Sequence, residues 1–292
     1  MAFLKSFFTC NVSLIILLVL LIGCSDEQKD KDKHYNRAMV YLEQKKEKEA
    51  IIELRNAIQI DPKFANARYQ LGLLYLNAGE VRQAFEELQR AATLDPSNLD
   101  AKIKTAEFHL LSKKKEDARK NIDEVLALSP NNRDALALLA NLELIDSKHD
   151  KALESINKAL ASAPEDDRLY LVKGRILMAN KQYADAETAL KKTLELNSKK
   201  ISNFSGLVTF YVEREEFDKA KDLLNKMASA FPESSQPYLQ MAFIDLRENK
   251  VEAAEQHFTK ALEVDPKHTK LKTSIADFYA KNGKYEKAEE LY

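Results

Sequence analysis

The chemically distinctive residue in this sequence is Cys24. It directly follows an apolar run, Leu14 to Ile22, and Gly23. The second cysteine, Cys10, lies before that run, and two cysteines cannot build a disulfide framework. The five histidines are His34, His109, His149, His257 and His268. None stands in an H-E-x-x-H arrangement and no two share a helix face at ligand spacing, so no metal site and no cofactor are expected. Phosphate-cradling glycine loops and a nucleophile elbow are missing from the sequence. Ser205-Gly206 reads as close helix packing. Asp and Glu recur at equivalent surface slots, which suits solvated faces and ion pairs better than an acid–base dyad. A catalytic role is therefore not expected.

The segment around Cys24 reads as an address. Lys5 supplies a positive n-region and Leu14 to Ile22 an h-region that falls short of the roughly 20 residues of a membrane-spanning helix. Leu21-Ile22-Gly23-Cys24 resembles the lipobox of bacterial lipoproteins. That resemblance implies cleavage before Cys24, a diacylglyceryl thioether on its sulfur and acylation of the new N-terminus. Several chains on one residue anchor stably where a single chain binds only marginally. The competing reading is an ordinary signal peptide, or an uncleaved anchor with an incidental cysteine. Ser25, where inner-membrane lipoproteins carry Asp, implies an outer-membrane protein facing the periplasm. The expected organisation is a signal at 1–23, a lipidated Cys24 with a polar tether to residue 30, and one array over 31–292.

Composition narrows the class of that array. Of 292 residues, 45% are hydrophobic and 31% charged, with 45 Lys and Arg against 46 Asp and Glu. The balance lacks the basic excess of a nucleic-acid binder. Six Gly and seven Pro are few for a chain of sheets and turns and point to helices.

A period of 34 residues supplies the architecture. Pro62, Pro96, Pro130, Pro164, Pro232 and Pro266 share one register, with Ser198 in the vacant slot and Pro237 outside it. Ala50, Ala84, Ala118, Ala152, Ala186, Ala220, Ala254 and Ala288 share another. Apolar residues recur at three- and four-residue steps, as in Leu71, Leu74 and Tyr75, and polar turns such as Asn77 to Glu80 divide each repeat into two short helices. Asp-Pro pairs end several second helices, because proline disfavours a helical residue before it. Leu71-Gly72, Tyr75, Ala84, Leu88, Ala91 and Pro96 resemble the tetratricopeptide repeat pattern. The resemblance implies an all-α fold, a right-handed superhelical solenoid of about eight helix-turn-helix repeats starting near 31, 65, 99, 133, 167, 201, 235 and 269. His109, Glu143 and Asp245 replace the usual Tyr, which questions the packing of those repeats. The last repeat stops at Leu291-Tyr292, on the slot of Phe258. This suggests a longer array, or an end completed by a partner.

The same resemblance places a concave groove on the first helix of each repeat, with no catalytic residue in it. The implied lining is Tyr35, Met39, Leu42, Tyr69, Leu73, Leu76, Ile103, Leu110, Leu144, Leu171, Met178, Leu239, Phe243 and Leu246. Asn141, Arg175 and Thr209 lie between them. Such a stripe suits a protein or peptide partner, an extended segment or a helix. The alternative is that stacking within the array buries it. Tyr35 and Met39 stand where the chaperone-tail clamp of the family has Lys and Asn in the first repeat, and Asp100 and Lys104 where it has Lys and Arg in the third, so that ligand is not expected. Lysine clusters at 45–46, 113–115 and 199–200 serve solubility, or touch anionic headgroups or polysaccharide. The expected function is a non-catalytic, membrane-anchored scaffold for protein–protein interactions in the bacterial envelope. The lipobox followed by AIIELRNAIQIDPKFANARYQLGLLYL is similar to lipoproteins of PEP-CTERM sorting and exopolysaccharide export. Other readings are an adaptor for outer-membrane protein assembly or a cell-wall hydrolase, and the N-terminal array of a longer enzyme.

Overall fold

A computed structural model describes residues 29–292. The signal, Cys24 and the start of the tether lie outside the described residues. Among those described, sixteen helices follow one another in helix-turn-helix pairs and there is no strand. The described residues group into two compact units, one ending at Leu138 and the other running Leu139–Tyr292. The first holds α1 (29–43), α2 (Glu47–Ile60), α3 (Ala65–Asn77), α4 (Val81–Leu94), α5 (Leu99–Leu111) and α6 (Lys115–Leu128), and runs into α7 (Arg133–Ile145). The second takes up α7 and continues with α8 (His149–Ser162), α9 (Asp167–Ala179), α10 (Tyr183–Leu196), α11 (Ile201–Glu213) and α12 (Phe217–Ala230). It ends with α13 (Gln236–Arg247), α14 (Val251–Val264), α15 (Thr269–Lys281) and the short α16 (Tyr285–Glu289).

One expectation is corrected at the start. Residues 29 and 30, the end of the expected tether, are already helical. The Lys31 ammonium reaches Asp61 at 2.5 Å and lies 4.7 Å from the Phe64 ring centre. These contacts tie a polar stretch to the next repeat, although it has little apolar surface of its own to bury.

Within each pair, the turn is built the same way eight times. Lys45, Gly79, Lys113, Ser147, Lys181, Glu215, Asn249 and Gly283 all have φ between 58° and 76°. The N–H of the following residue donates back to the carbonyl five residues earlier, as Glu80 does to Tyr75 and Lys114 to His109, both at 2.8 Å. This is the Schellman closure of a helix C-terminus. Only two of the eight are glycine, so the other side chains accept the left-handed conformation and its cost of about 1–2 kcal/mol.

Between repeats, the Pro register has an aspartate before it at Asp61, Asp95 and Asp265. Asp61 and Asp95 are extended, at φ −126° and −125°, as a residue before proline must be. Their carboxylates accept from backbone N–H groups two residues on, Lys63 at 2.9 Å and Ser97 at 3.0 Å. Where proline is missing, a side chain closes the turn instead. Buried Asn203 donates from Nδ2 to the carbonyls of Asn197 (2.8 Å) and Thr193 (3.1 Å) and to the Asp167 carboxylate (2.8 Å). Lys200 donates to the same carboxylate at 2.9 Å. Off-register Pro237 sits in the first turn of α13, where its missing N–H goes unused.

The core forms where the helices of a pair meet. Every alanine of the 34-residue register is buried, as are Leu54, Leu88, Ile122, Ile156, Leu190, Leu224 and Phe258 four residues further on. Gly72 marks a close approach. A Cβ there would lie 2.6 Å from Leu88 Cγ and 3.2 Å from the Leu88 backbone nitrogen. Gly206 likewise packs, against Leu171, as its helix position implied.

The three polar substitutions of the Tyr slot do not loosen their repeats. Glu143 accepts from Ser155 Oγ at 2.7 Å. Asp245, 1% exposed, accepts from Lys221 Nζ at 2.5 Å and pairs with His257 Nδ1 at 2.6 Å. His109 is buried edge-on to Phe85, with ring centres 5.4 Å apart.

Three outcomes follow for stability. Asn197 is extended (φ −156°, ψ 92°), as Asp61 and Asp95 are before their prolines. Ser198→Pro should therefore stabilise the second unit by about 0.4–1 kcal/mol through the unfolded chain, read as a shifted urea midpoint. Asn203→Ala should cost about 1–3 kcal/mol, because it takes one hydrogen bond from the Asp167 carboxylate and leaves the Asn197 carbonyl without its donor. Burial raises the Asp167 pKa, but hydrogen bonds from Asn203 and Lys200 outweigh it and hold the carboxyl below its ordinary range. A depressed folded pKa means the contribution is present above the ordinary carboxylate range and lost as pH falls below it. The stability gap between the native chain and Asp167→Asn should accordingly close on acidification.

Candidate partner-binding face

The expected groove residues lie on the first helices of the repeats, one turn apart. In the first unit, Tyr35, Met39, Leu42, Tyr69, Leu73 and Leu76 are half-buried and pack down onto Ala38, Ala67, Leu71 and their neighbours. Tyr35 lies against Phe64 with ring centres 5.1 Å apart. Burial pushes the Tyr35 and Tyr69 hydroxyls up from their ordinary pKa, with the Asp100 charge adding to the shift at Tyr69. Both phenols are therefore neutral donors at any physiological pH. Leu110 is also half-buried.

Ile103 differs. It is buried against Val125 and Ala135, so it belongs to the core and offers no surface. The reason is local, since its branched side chain fills the space between α5, α6 and the start of α7.

In the second unit, Leu144, Leu171, Met178, Leu239 and Leu246 are half-buried. Phe243 is 47% exposed and stands edge-on to buried Phe258, at 5.8 Å between ring centres. Arg175 and Thr209 are exposed beside these residues. Apart from buried Ile103 and exposed Phe243, the expected groove side chains are seated on the core with one side free.

Two further residues belong with the set. Leu111, at 80% exposure, is the most exposed of the large hydrophobic residues described, and Ile145 occupies the same repeat position. Most other repeats place Glu43, Asn77, Glu213, Arg247 or Lys281 there. An apolar residue at a solvent position was the available signal.

The remaining titratable clusters are structural. Arg68 donates to Glu87 at 2.5 Å and to the Pro62 carbonyl at 2.8 Å, and His268 caps α15 by accepting from the Leu271 N–H at 3.0 Å. Lys45 and Lys113 serve the left-handed turns and Lys200 the Asp167 network. Among the described residues, no group of His, Cys, Asp and Glu is arranged to hold a metal ion, and no helix is long and apolar enough to cross a membrane.

Comparison with known proteins agrees with this geometry. A tetratricopeptide repeat protein from Parabacteroides merdae ATCC 43184 is similar over 89% of this chain and 99% of its own, at 14% identity and a TM-score of 0.67. PilW, a widely conserved type IV pilus biogenesis factor, is similar over 72% of this chain and 98% of its own, at 21% identity and 0.59. PilF of Pseudomonas aeruginosa covers 73% of this chain and 97% of its own, at 20% and 0.52. At these identities the likeness is one of fold. No curated protein sequence matches the chain. One repeat model matches residues 38–79, and a second, the tetratricopeptide repeat, matches 78–142, 143–209 and 245–292. The chain belongs to the tetratricopeptide repeat family.

Proposed function

We propose that this protein is a non-catalytic scaffold that holds a protein partner on the first-helix faces of its repeats, anchored by lipid at Cys24 in the bacterial envelope. The observation that carries the partner reading is the row Tyr35, Met39, Tyr69, Leu73 and Leu76. These apolar side chains are fixed from below by the core and open on one side. A partner that covers them removes apolar area from water without first ordering the residues it meets. Phenol hydroxyls at Tyr35 and Tyr69 give such a partner's backbone a place to bond. An extended peptide or an amphipathic helix fits this mixture.

The anchor rests on sequence: the n-region, the h-region and Leu21-Ile22-Gly23-Cys24. Ser25 favours the outer membrane, with the array facing the periplasm. The sequence likeness to lipoproteins of PEP-CTERM sorting and exopolysaccharide export supplies the pathway to test first.

Photo-crosslinking in the native cell tests the face. Probes at Tyr69, Leu73 and Leu76 should yield one discrete protein adduct, and a probe at exposed Gln83 should not. Adducts equal at all four positions, or none with the protein still at the membrane, would remove the partner face. Leu111→Glu should leave stability within about 0.5 kcal/mol, since that residue is already largely in water, whereas Phe243→Glu also loses the contact with Phe258 and should cost more. If the face is used in both units, each should weaken the adduct nearest it. Cys24→Ser should abolish labelling by a fatty-acid analogue and move the chain out of the membrane fraction. Unchanged labelling would refute the anchor.

A further inference from the structure

Between the second helix of one repeat and both helices of the next, packing leaves a cleft that recurs at the same repeat positions. In the second unit one such cleft, of about 580 Å³, is walled by Phe204, Leu207 and Leu223, and another, of about 490 Å³, by Tyr170, Leu177 and Ala189. In the first unit, the cleft between α4, α5 and α6 is about 470 Å³ and its wall is chemically different. Lys102, Thr105, His109 and Asn121 occupy the positions of Phe204, Leu207, Tyr211 and Leu223. Three of these four polar side chains are almost sealed from bulk water. Lys102 is 6% exposed, Thr105 2% and His109 5%.

Their bonding leaves capacity unused. Lys102 reaches Glu124 at 2.5 Å, and Thr105 donates to the Ala101 carbonyl at 2.8 Å, which leaves its oxygen lone pairs free. His109 Nδ1 is buried with no hydrogen-bond partner. Burial holds the His109 pKa below its ordinary value, so the ring is neutral, and with Nδ1 sealed it can present only its other nitrogen to the cleft. An unpartnered buried nitrogen is costly, and the other two clefts avoid that cost with Tyr211 and Leu177 at the same position.

We propose that this cleft is a binding site for a small acidic sugar. Its volume falls in the range of small-molecule sites, about 300–1,000 Å³. Hydroxyl groups are matched by side chains that donate or accept, here Asn121, Gln89, Thr105 and neutral His109. The Phe85 ring gives the C–H face of a pyranose an apolar wall. Lys114 and Lys120, both exposed, also line the cleft. With Lys102 they outnumber Asp117 and Glu124 by one charge, which selects a single carboxylate. A multiply charged phosphate would meet both acids, and a wholly apolar ligand would strand the polar wall. The assignment is independent of the partner face on the first helices.

Isothermal titration of the detergent-solubilised full chain tests it, with sodium glucuronate as the probe. Glucose supplies hydroxyls without charge, and acetate supplies charge without hydroxyls. Glucuronate should bind saturably and at least about tenfold more tightly than either control. His109→Leu installs the residue that the fifth repeat carries at that position, Leu177, so the chain should fold with an unchanged or higher melting midpoint. It should lose at least about tenfold in glucuronate affinity. Lys120→Met, at an exposed position, should weaken glucuronate severalfold and leave glucose unchanged. The proposal is overturned by no saturation below about 20 mM, by acetate or glucose binding as tightly as glucuronate, or by undiminished binding in folded His109→Leu.

Discussion

The two helices of each repeat approach so closely that small residues fill the slot between them in all but the sixth repeat, which holds Val208. Ala38, Ala106, Ala140, Ala242 and Ala276 are fully buried on the first helices, and Gly72 and Gly174 replace alanine where Leu88 and Leu190 press in. The register of alanines on the second helices completes the contact. That separation fixes the turn between the helices to one geometry. Lys45, Lys113, Ser147, Lys181, Glu215 and Asn249 accordingly hold a left-handed backbone that favours glycine. Burial of the leucine, isoleucine or phenylalanine four residues beyond each alanine contributes more than the turn costs, about 1.5–3 kcal/mol for each side chain.

With the helix pair fixed, variety between repeats is confined to positions where a side chain faces the neighbouring helix. The slot after each first-helix core is filled in different ways. Tyr75 accepts from Arg55 at 2.6 Å and Tyr211 donates to Glu187 at 2.8 Å. Asp245 gathers Lys221 and His257, and Glu143 takes Ser155. Each solution satisfies the buried polar atom locally, as a low-dielectric site demands. His109 stands apart, because its neighbour is the Phe85 ring and a buried nitrogen is left without a partner.

The fold was legible because its constraints are periodic. An alanine that must be small, and a proline that must follow an extended residue, leave marks every 34 positions. Pairings without a period were not legible. Asn203 closing the turn that Ser198 leaves open, and Lys31 drawing residues 29–33 into α1, depend on side chains 30 or more residues away or on carbonyls no sequence displays. The face was legible in part. Repeat position put Tyr69, Leu73 and Ile103 on one face alike, but it could not show that the first two are half-buried while Ile103 is consumed by Val125 and Ala135. Leu111 and Ile145 were visible only as apolar letters at a position that is elsewhere mostly polar.

Half-burial is the property that makes the face suited to recognition. A fully exposed leucine or methionine loses about 0.5–2 kcal/mol of side-chain freedom when a partner covers it. Met39, Tyr69 and Leu73 have lost most of that freedom already, on folding, because their lower surfaces rest on the core. Tyr35 is held the same way by Phe64. What remains for a partner is the gain from covering the upper surface, with little ordering to offset it. Exposed Leu111 and Phe243 are different. They are free to adjust to whatever lies across them, and each has a large apolar side chain to bury. Within either unit, half-buried side chains fixed by the core, together with an exposed apolar one, leave apolar area to cover at little further cost in ordering.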